Sequence, residues 1–151
     1  MKYAAEGLKV IVDSRDRIGE YKGVIMKPNE IEGWRVVNGS NEFRTDTFET
    51  YVSTAEQLVR INHAPVCMTL GPNGCLYADN EGILHAEAYH VEPPIDIVGA
   101  GDTFLAAFGV ALGAGIEPAL AASFGNLASS ITVKKIGTTG TASPEELLQS
   151  L

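Results

Sequence analysis

The chain has 151 residues, 45 % of them apolar and 20 % charged, with 11 basic against 19 acidic side chains and a net charge of −8. That length and apolar fraction fit one globular domain with a sizeable core and exclude a disordered chain. No basic stripe interleaves with aromatics, which argues against nucleic acid as a partner, while a small anion held by backbone groups stays open.

The opening residues 1–7 are short and polar, unlike a secretory leader. The longest apolar run, residues 104–116, counts 13 residues, three of them glycine. It is too short to span a bilayer and suits a buried helix. The expectation is a cytoplasmic protein.

Residues 8–12 (LKVIV) form a short apolar run closed by Asp13, the pattern of a buried parallel strand. Residues 14–22 are polar and read as a loop or short helix. Residues 23–26 give a second buried strand, stopped by Lys27-Pro28. Strands with carboxylates or amides at their C-terminal ends are how open α/β sheets present ligands. In Asn29-Glu30-Ile31-Glu32 an amide and a carboxylate share a face if a helix starts there; the plainer reading is a helix cap with an acidic first turn. Residues 33–50 are mixed: Trp34, Val36 and Val37 suit packing, and Asn38-Gly39-Ser40-Asn41 is turn chemistry. Ser53-x-x-Glu56 reads as a capping box before an apolar stripe of Ala55, Leu58, Val59 and Ile61, which predicts a helix from Thr54 to about Asn62.

Residues 66–70 read as a third strand, followed by Gly71-Pro72-Asn73-Gly74. Strands at 75–78 and 83–88, joined by a turn at 79–82, complete a meander. Thr69 with Gly71 and Gly74 admits a phosphate or ribose close to the backbone, although P-N-G between strands is also an ordinary turn. Cys67 and Cys75 show no metal or redox spacing and read as reduced core thiols. His63, His85 and His90 are scattered and read as ordinary histidines rather than ligands.

Residues 96–108 read D-I-V-G-A-G-D-T-F-L-A-A-F. A turn of Gly99, Ala100 and Gly101 leads into Asp102, and a helix is predicted over residues 103–112, ended by Gly113-Ala114-Gly115. Such a turn exposes backbone N–H groups at the positive end of the helix and sets one carboxylate beside the anion they would hold. That pairing points to phosphoryl transfer. Pro118 opens a second helix, rich in small residues through Thr132 and ending near Lys134-Lys135. Asn126 within it needs partners, either as a packing amide or as a ligand contact. Residues 137–141 (GTTGT) make a hydroxyl-rich loop, and Ser143-Pro144-Glu145-Glu146 caps a last short helix.

In this order N-E-I-E after a strand, T-L-G-P-N-G, the G-A-G-D turn and Asn126 make residues 8–151 resemble the C-terminal half of ribokinase-like (PfkB-family) carbohydrate kinases. G-A-G-D is the specific signature; the others are weak singly and strong together. The tail K-K-I-G-T-T-G-T-A-S-P-E-E-L is similar to the kinase part of heptose-phosphate kinases and adenylyltransferases. The resemblance implies an α/β, three-layer ribokinase-like fold in partial form: a C-terminal half, mostly parallel sheet with a β-meander, as a single domain over residues 1–151.

The resemblance also implies roles. Asp102 would be the general base toward a sugar or sugar-phosphate hydroxyl, with the N–H groups of Gly99, Ala100 and Gly101 holding charge on the transferred phosphoryl group. ATP and Mg²⁺ would be the cofactors, together with K⁺. Asn29 and Glu32 would act on Mg²⁺ through its waters; Thr69, Gly71 and Gly74 would line the nucleotide, and Asn126 would lie near its adenine or ribose. Asp96, the carbonyl of Val98, and the loop carrying Thr132, Lys135, Gly137 and Thr141 would form a monovalent-cation site, in which Ile97 replaces the more usual Thr. The family's N-terminal half, with its sugar-binding residues and lid, has no counterpart in these 151 residues. A gene fragment, a split enzyme or a degenerate relative is therefore expected, with an exposed sheet edge and a tendency to form homo-oligomers or to associate with the missing half; neither nucleic acid nor membrane is an expected partner. The alternatives are a non-catalytic nucleotide-binding or oligomerising remnant of a sugar kinase, and a solute-binding or structural α/β domain carrying G-A-G-D by chance.

Overall fold

The computed structural model describes Ala4, residues 6–40, Glu42 and residues 47–150. Most of the polar opening of the chain and part of the mixed run, residues 41 and 43–46, lie outside the described residues. The chain divides into two compact units. The first runs to Gly71 and resumes at Cys75–His85; the second comprises Pro72–Gly74 and the chain from Ala86 onward.

The first unit is built on a sheet of β1 (Ile11–Val12), β2 (Ile25–Met26), β3 (Val66–Thr69), β4 (Cys75–Ala78) and β5 (Ile83–Ala86), ordered β1-β2-β3-β4-β5. β1 and β3 both run parallel to β2, and β4 returns antiparallel to β3 with Val66 opposite Ala78 and Thr69 opposite Cys75. The sheet is thus the expected parallel array extended by a meander, with shorter strands than the sequence runs suggest. Every residue of β4 is buried, as an unbroken apolar run requires when both faces are covered. Cys67 and Cys75 are free, buried thiols on β3 and β4.

Two helices link β2 to β3: α1 (Glu30–Asn38) and α2 (Phe48–Asn62). α2 begins six residues before the predicted Thr54. Its N-cap is Thr47, whose side chain accepts from the Thr50 N–H, and the expected Ser53–Glu56 capping box does not form. Ser53 and Glu56 lie inside the helix, where Ser53 receives the Gln57 amide and Glu56 pairs with Arg60 at 3.7 Å. The apolar stripe continues upstream through Tyr51, so burial of that face carries the helix past a locally attractive cap. The core gathers Met26, Leu58, Val66, Met68 and Leu76, with Val12, Val36 and Val37 packed against it.

The second unit is helical: α3 (Ala100–Gly113), α4 (Pro118–Thr132) and α5 (Pro144–Gln149). Phe104 and Phe108 of α3 are buried and stack with centroids 5.8 Å apart. Small residues on α4 let it approach closely; a Cβ on Gly125 would stand 2.8 Å from the Phe104 ring. α3 starts three residues earlier than predicted, so Asp102 lies inside its first turn rather than ahead of it. α5 carries the expected reciprocal cap between Ser143 and Glu146. Among the described residues no helix is long and apolar enough to cross a membrane.

Candidate functional site

The second unit presents the G-A-G-D stretch as an open helix end. Gly99 is the N-cap of α3, in the left-handed region at φ 81°, and an added Cβ would meet Thr139 Cγ2 at 2.9 Å. Glycine is needed there both for the backbone angle and for the space. No side chain caps the helix. The Ala100 N–H is used within the turn, donating to the Ile97 carbonyl at 3.2 Å, and the Thr103 N–H donates to the Gly99 carbonyl at 2.9 Å. Among the described residues the N–H groups of Gly99, Gly101 and Asp102 have no protein acceptor. The open set therefore differs from the expected Gly99, Ala100 and Gly101: Ala100 is engaged, and the N–H of Asp102 itself takes its place. Asp102 is exposed and borders a cavity of about 430 Å³, whose other walls include Gly99, Thr139, Ala106, Phe124 and Leu147.

Asp96 ties the start of this turn to the loop after α4. Its Oδ1 accepts from the Val98 N–H and its Oδ2 from the Gly137 N–H, each at 3.0 Å. These two bonds, Val98 first, hold its carboxyl below the ordinary aspartate value. Of the residues expected to hold a monovalent cation, Asp96 and Gly137 are thus brought together. Thr132 is buried, with its hydroxyl on Thr103 Oγ1 at 3.1 Å and its carbonyl accepting from the Lys135 N–H. The Lys135 ammonium bonds the Thr141 carbonyl and pairs with Glu146 at 2.8 Å. Among the described residues no three His, Cys, Asp or Glu side chains converge on one point.

Asn126 and Gly74 meet on one segment. The buried Asn126 amide donates to the carbonyls of Ala86 at 2.9 Å and Glu87 at 3.0 Å, so both N–H groups are spent on packing and only Oδ1 remains. Gly74, at φ 83°, lies so close to the same segment that a Cβ would fall 2.1 Å from the Ala86 carbonyl oxygen.

In the first unit the C-terminal ends of the parallel strands carry the polar groups. Asn29 and Glu32 close the N-terminus of α1 reciprocally: Asn29 Oδ1 accepts from the Glu32 N–H at 2.8 Å, and Glu32 Oε2 accepts from the Asn29 N–H at 2.9 Å. The cap reading is therefore realised, and Glu32 Oε1 stays outside the box. Thr69 bridges to Asn29, and its N–H donates to the Pro28 carbonyl at 3.0 Å. Burial raises Glu32 above the ordinary glutamate value, opposed by the Asn29 N–H and reinforced by the charge of Asp13. Gly71 opens a single 3₁₀ turn with Pro72 and Asn73.

Two features lie beyond the sequence reading. Lys27 is buried and paired with Asp13 at 2.6 Å; a lysine closing an apolar strand was the available signal. Ser129 donates to the Ala100 carbonyl at 2.9 Å across a separation of 29 residues, which no local pattern reveals.

The pfkB family carbohydrate kinase model matches residues 21–146. Bifunctional protein HldE of Caulobacter sp. (strain K31) is 34 % identical over 141 residues, 89 % of this chain and 28 % of that protein. Ribokinase of Staphylococcus aureus (strain COL) is 36 % identical over 114 residues, 75 % of this chain and 36 % of that protein. Among solved structures, ribokinase from Thermotoga maritima superposes with a TM-score of 0.73 at 28 % identity, over 85 % of this chain and 42 % of that one. Phosphofructokinase-2 from Escherichia coli in complex with potassium gives a TM-score of 0.80 at 24 % identity, over 96 % and 47 %, and speaks for the fold alone. The chain thus spans about a third of these curated relatives and under half of these solved chains. With a match of that extent around the G-A-G-D helix end, the chain belongs to the pfkB family of carbohydrate kinases.

Proposed function

We propose that this chain is the nucleotide-handling and catalytic-base half of an ATP-dependent carbohydrate kinase, one that phosphorylates a hydroxyl of a sugar or sugar phosphate. The observation that carries the reading is Asp102, exposed in the first turn of a helix where the N–H groups of Gly101 and Asp102 find no acceptor among the described residues. Asp102 takes the proton of the acceptor hydroxyl as that oxygen bonds to the terminal phosphorus of ATP. The bond from phosphorus to the bridging oxygen breaks, and ADP leaves with the electron pair. The N–H groups of Gly99, Gly101 and Asp102 face the charge that develops on the transferred group. Phosphoryl transfer asks little of the strength of that base, because positioning supplies most of the catalysis.

Thr69, Gly71 and Gly74 would line the nucleotide, and Asn126 would meet it as an acceptor through Oδ1, its donors being spent. Mg²⁺, when bound, neutralises phosphate charge. Asn29 and Glu32 suit it through its waters, because the capping box leaves Glu32 Oε1 over. A K⁺ ion would rest on Asp96, the Val98 carbonyl and the oxygens of Thr132, Lys135, Gly137 and Thr141; the carbonyls that Lys135 already occupies each keep a second lone pair.

The test is ADP release from ATP and Mg²⁺ across a panel of sugars and sugar phosphates. Turnover that depends on one sugar and falls roughly 10³-fold in Asp102→Asn supports the reading. ATP binding without turnover on any sugar overturns its catalytic part.

A further inference from the structure

We propose that Ser129 is a positioning residue whose hydroxyl aims the Gly101 N–H at the bound anion, an inference that rests on the kinase reading above. Ser129 Oγ donates to the Ala100 carbonyl at 2.9 Å. That carbonyl and the Gly101 N–H belong to one planar trans peptide unit, in which C=O and N–H point in opposite directions. Holding the oxygen therefore fixes the plane and sets where the N–H points. Donation to the oxygen also polarises the amide, which makes its N–H a stronger donor.

The other hydroxyls of α4 show that this contact is not what a helical serine does by default. Ser123 donates to the Ala119 carbonyl and Ser130 to the Leu127 carbonyl, both within their own helix. Of the three serines, Ser129 alone gives its proton to the turn before Asp102. Docking of α4 on α3 does not require it, because the Gly125 backbone already lies against the Phe104 ring. One turn further on, Thr132 repeats the tie at Thr103 Oγ1. The first turn of α3 is thus held by two hydroxyls from α4, and the one on Ala100 governs an unclaimed N–H.

The experiment is an ATP–Mg²⁺ titration of the ¹⁵N-labelled chain, following the Gly101 amide in the wild type, Ser129→Ala, Ser129→Cys and Ser129→Thr. In the wild type ATP shifts the Gly101 amide. In Ser129→Ala that resonance moves upfield before ligand is added and ATP binds about fivefold more weakly. Ser129→Thr restores both. Ser129→Cys keeps the volume with a weaker donor and falls between, so it serves if the alanine variant does not fold. A role confined to helix packing would lower the melting temperature of Ser129→Ala and leave the Gly101 shift and the affinity at wild-type values, which overturns the inference alone. A wild-type chain in which ATP moves no amide of the turn overturns the kinase reading as well.

Discussion

α1 and α3 both begin with a carboxylate third in the first turn and put it to opposite uses. In α1 the N-cap is Asn29 and the third residue is Glu32, and each closes the other's backbone N–H. In α3 the N-cap is Gly99, which has no side chain, and the third residue is Asp102, one methylene shorter. Asp102 does not fold back: no side chain caps this end, and the N–H groups of Gly101 and Asp102 find no acceptor among the described residues. A reciprocal cap spends the partial charge of a helix end on the protein's own stability, whereas an uncapped end keeps it for a ligand. The difference lies in two residue choices, glycine for asparagine and aspartate for glutamate.

Gly99 is the position of the largest expected loss. In Gly99→Ala the left-handed backbone at φ 81° and the 2.9 Å approach to Thr139 Cγ2 act together. The variant loses about 2 kcal/mol, or roughly 4–8 °C in melting temperature. Combining it with Thr139→Ser removes the methyl contact and leaves the backbone strain, so thermal denaturation of the double variant recovers less than half of the loss. At the closed end, Asn29→Ala removes the acceptor for the Glu32 N–H and costs about 1 kcal/mol, read from chemical denaturation. An unchanged denaturation midpoint in Asn29→Ala would show that the reciprocal cap does not serve the stability of the chain.

How much of this was legible in the sequence follows from how local each signal is. Asn29 and Glu32 sit within four residues of each other, as do Gly99 and Asp102, so both patterns survive reading one letter at a time. The start of α2 did not: Ser53-x-x-Glu56 satisfies the local rule, but the buried stripe reaching back to Tyr51 extends the helix to Phe48. The same limit applies to Ser129 and to the Lys27–Asp13 pair, whose partners are distant in the chain. Asn126 was legible as needing partners but not as to which; tertiary packing supplied the Ala86 and Glu87 carbonyls.

The smallest effect, and the one that separates the two units by sign, is the response to pH. Backbone N–H groups of Val98 and Gly137 lower the Asp96 carboxyl below its ordinary value of 3.8. Its stabilising effect is complete above that value and is lost as pH falls through the lowered one. Glu32 is raised above 4.5, chiefly by burial. Its contribution is complete below that value and is lost as pH rises through the raised one, because the ionised form is then held partly out of water. Melting temperatures of Asp96→Asn and Glu32→Gln, measured against wild type from about pH 2.5 to pH 7, should therefore diverge in opposite directions. The deficit of Asp96→Asn vanishes at the acid end, whereas the Glu32→Gln curve gains on wild type as pH climbs past 4.5. Parallel curves for both variants would mean that neither carboxylate feels the helix end or loop it touches.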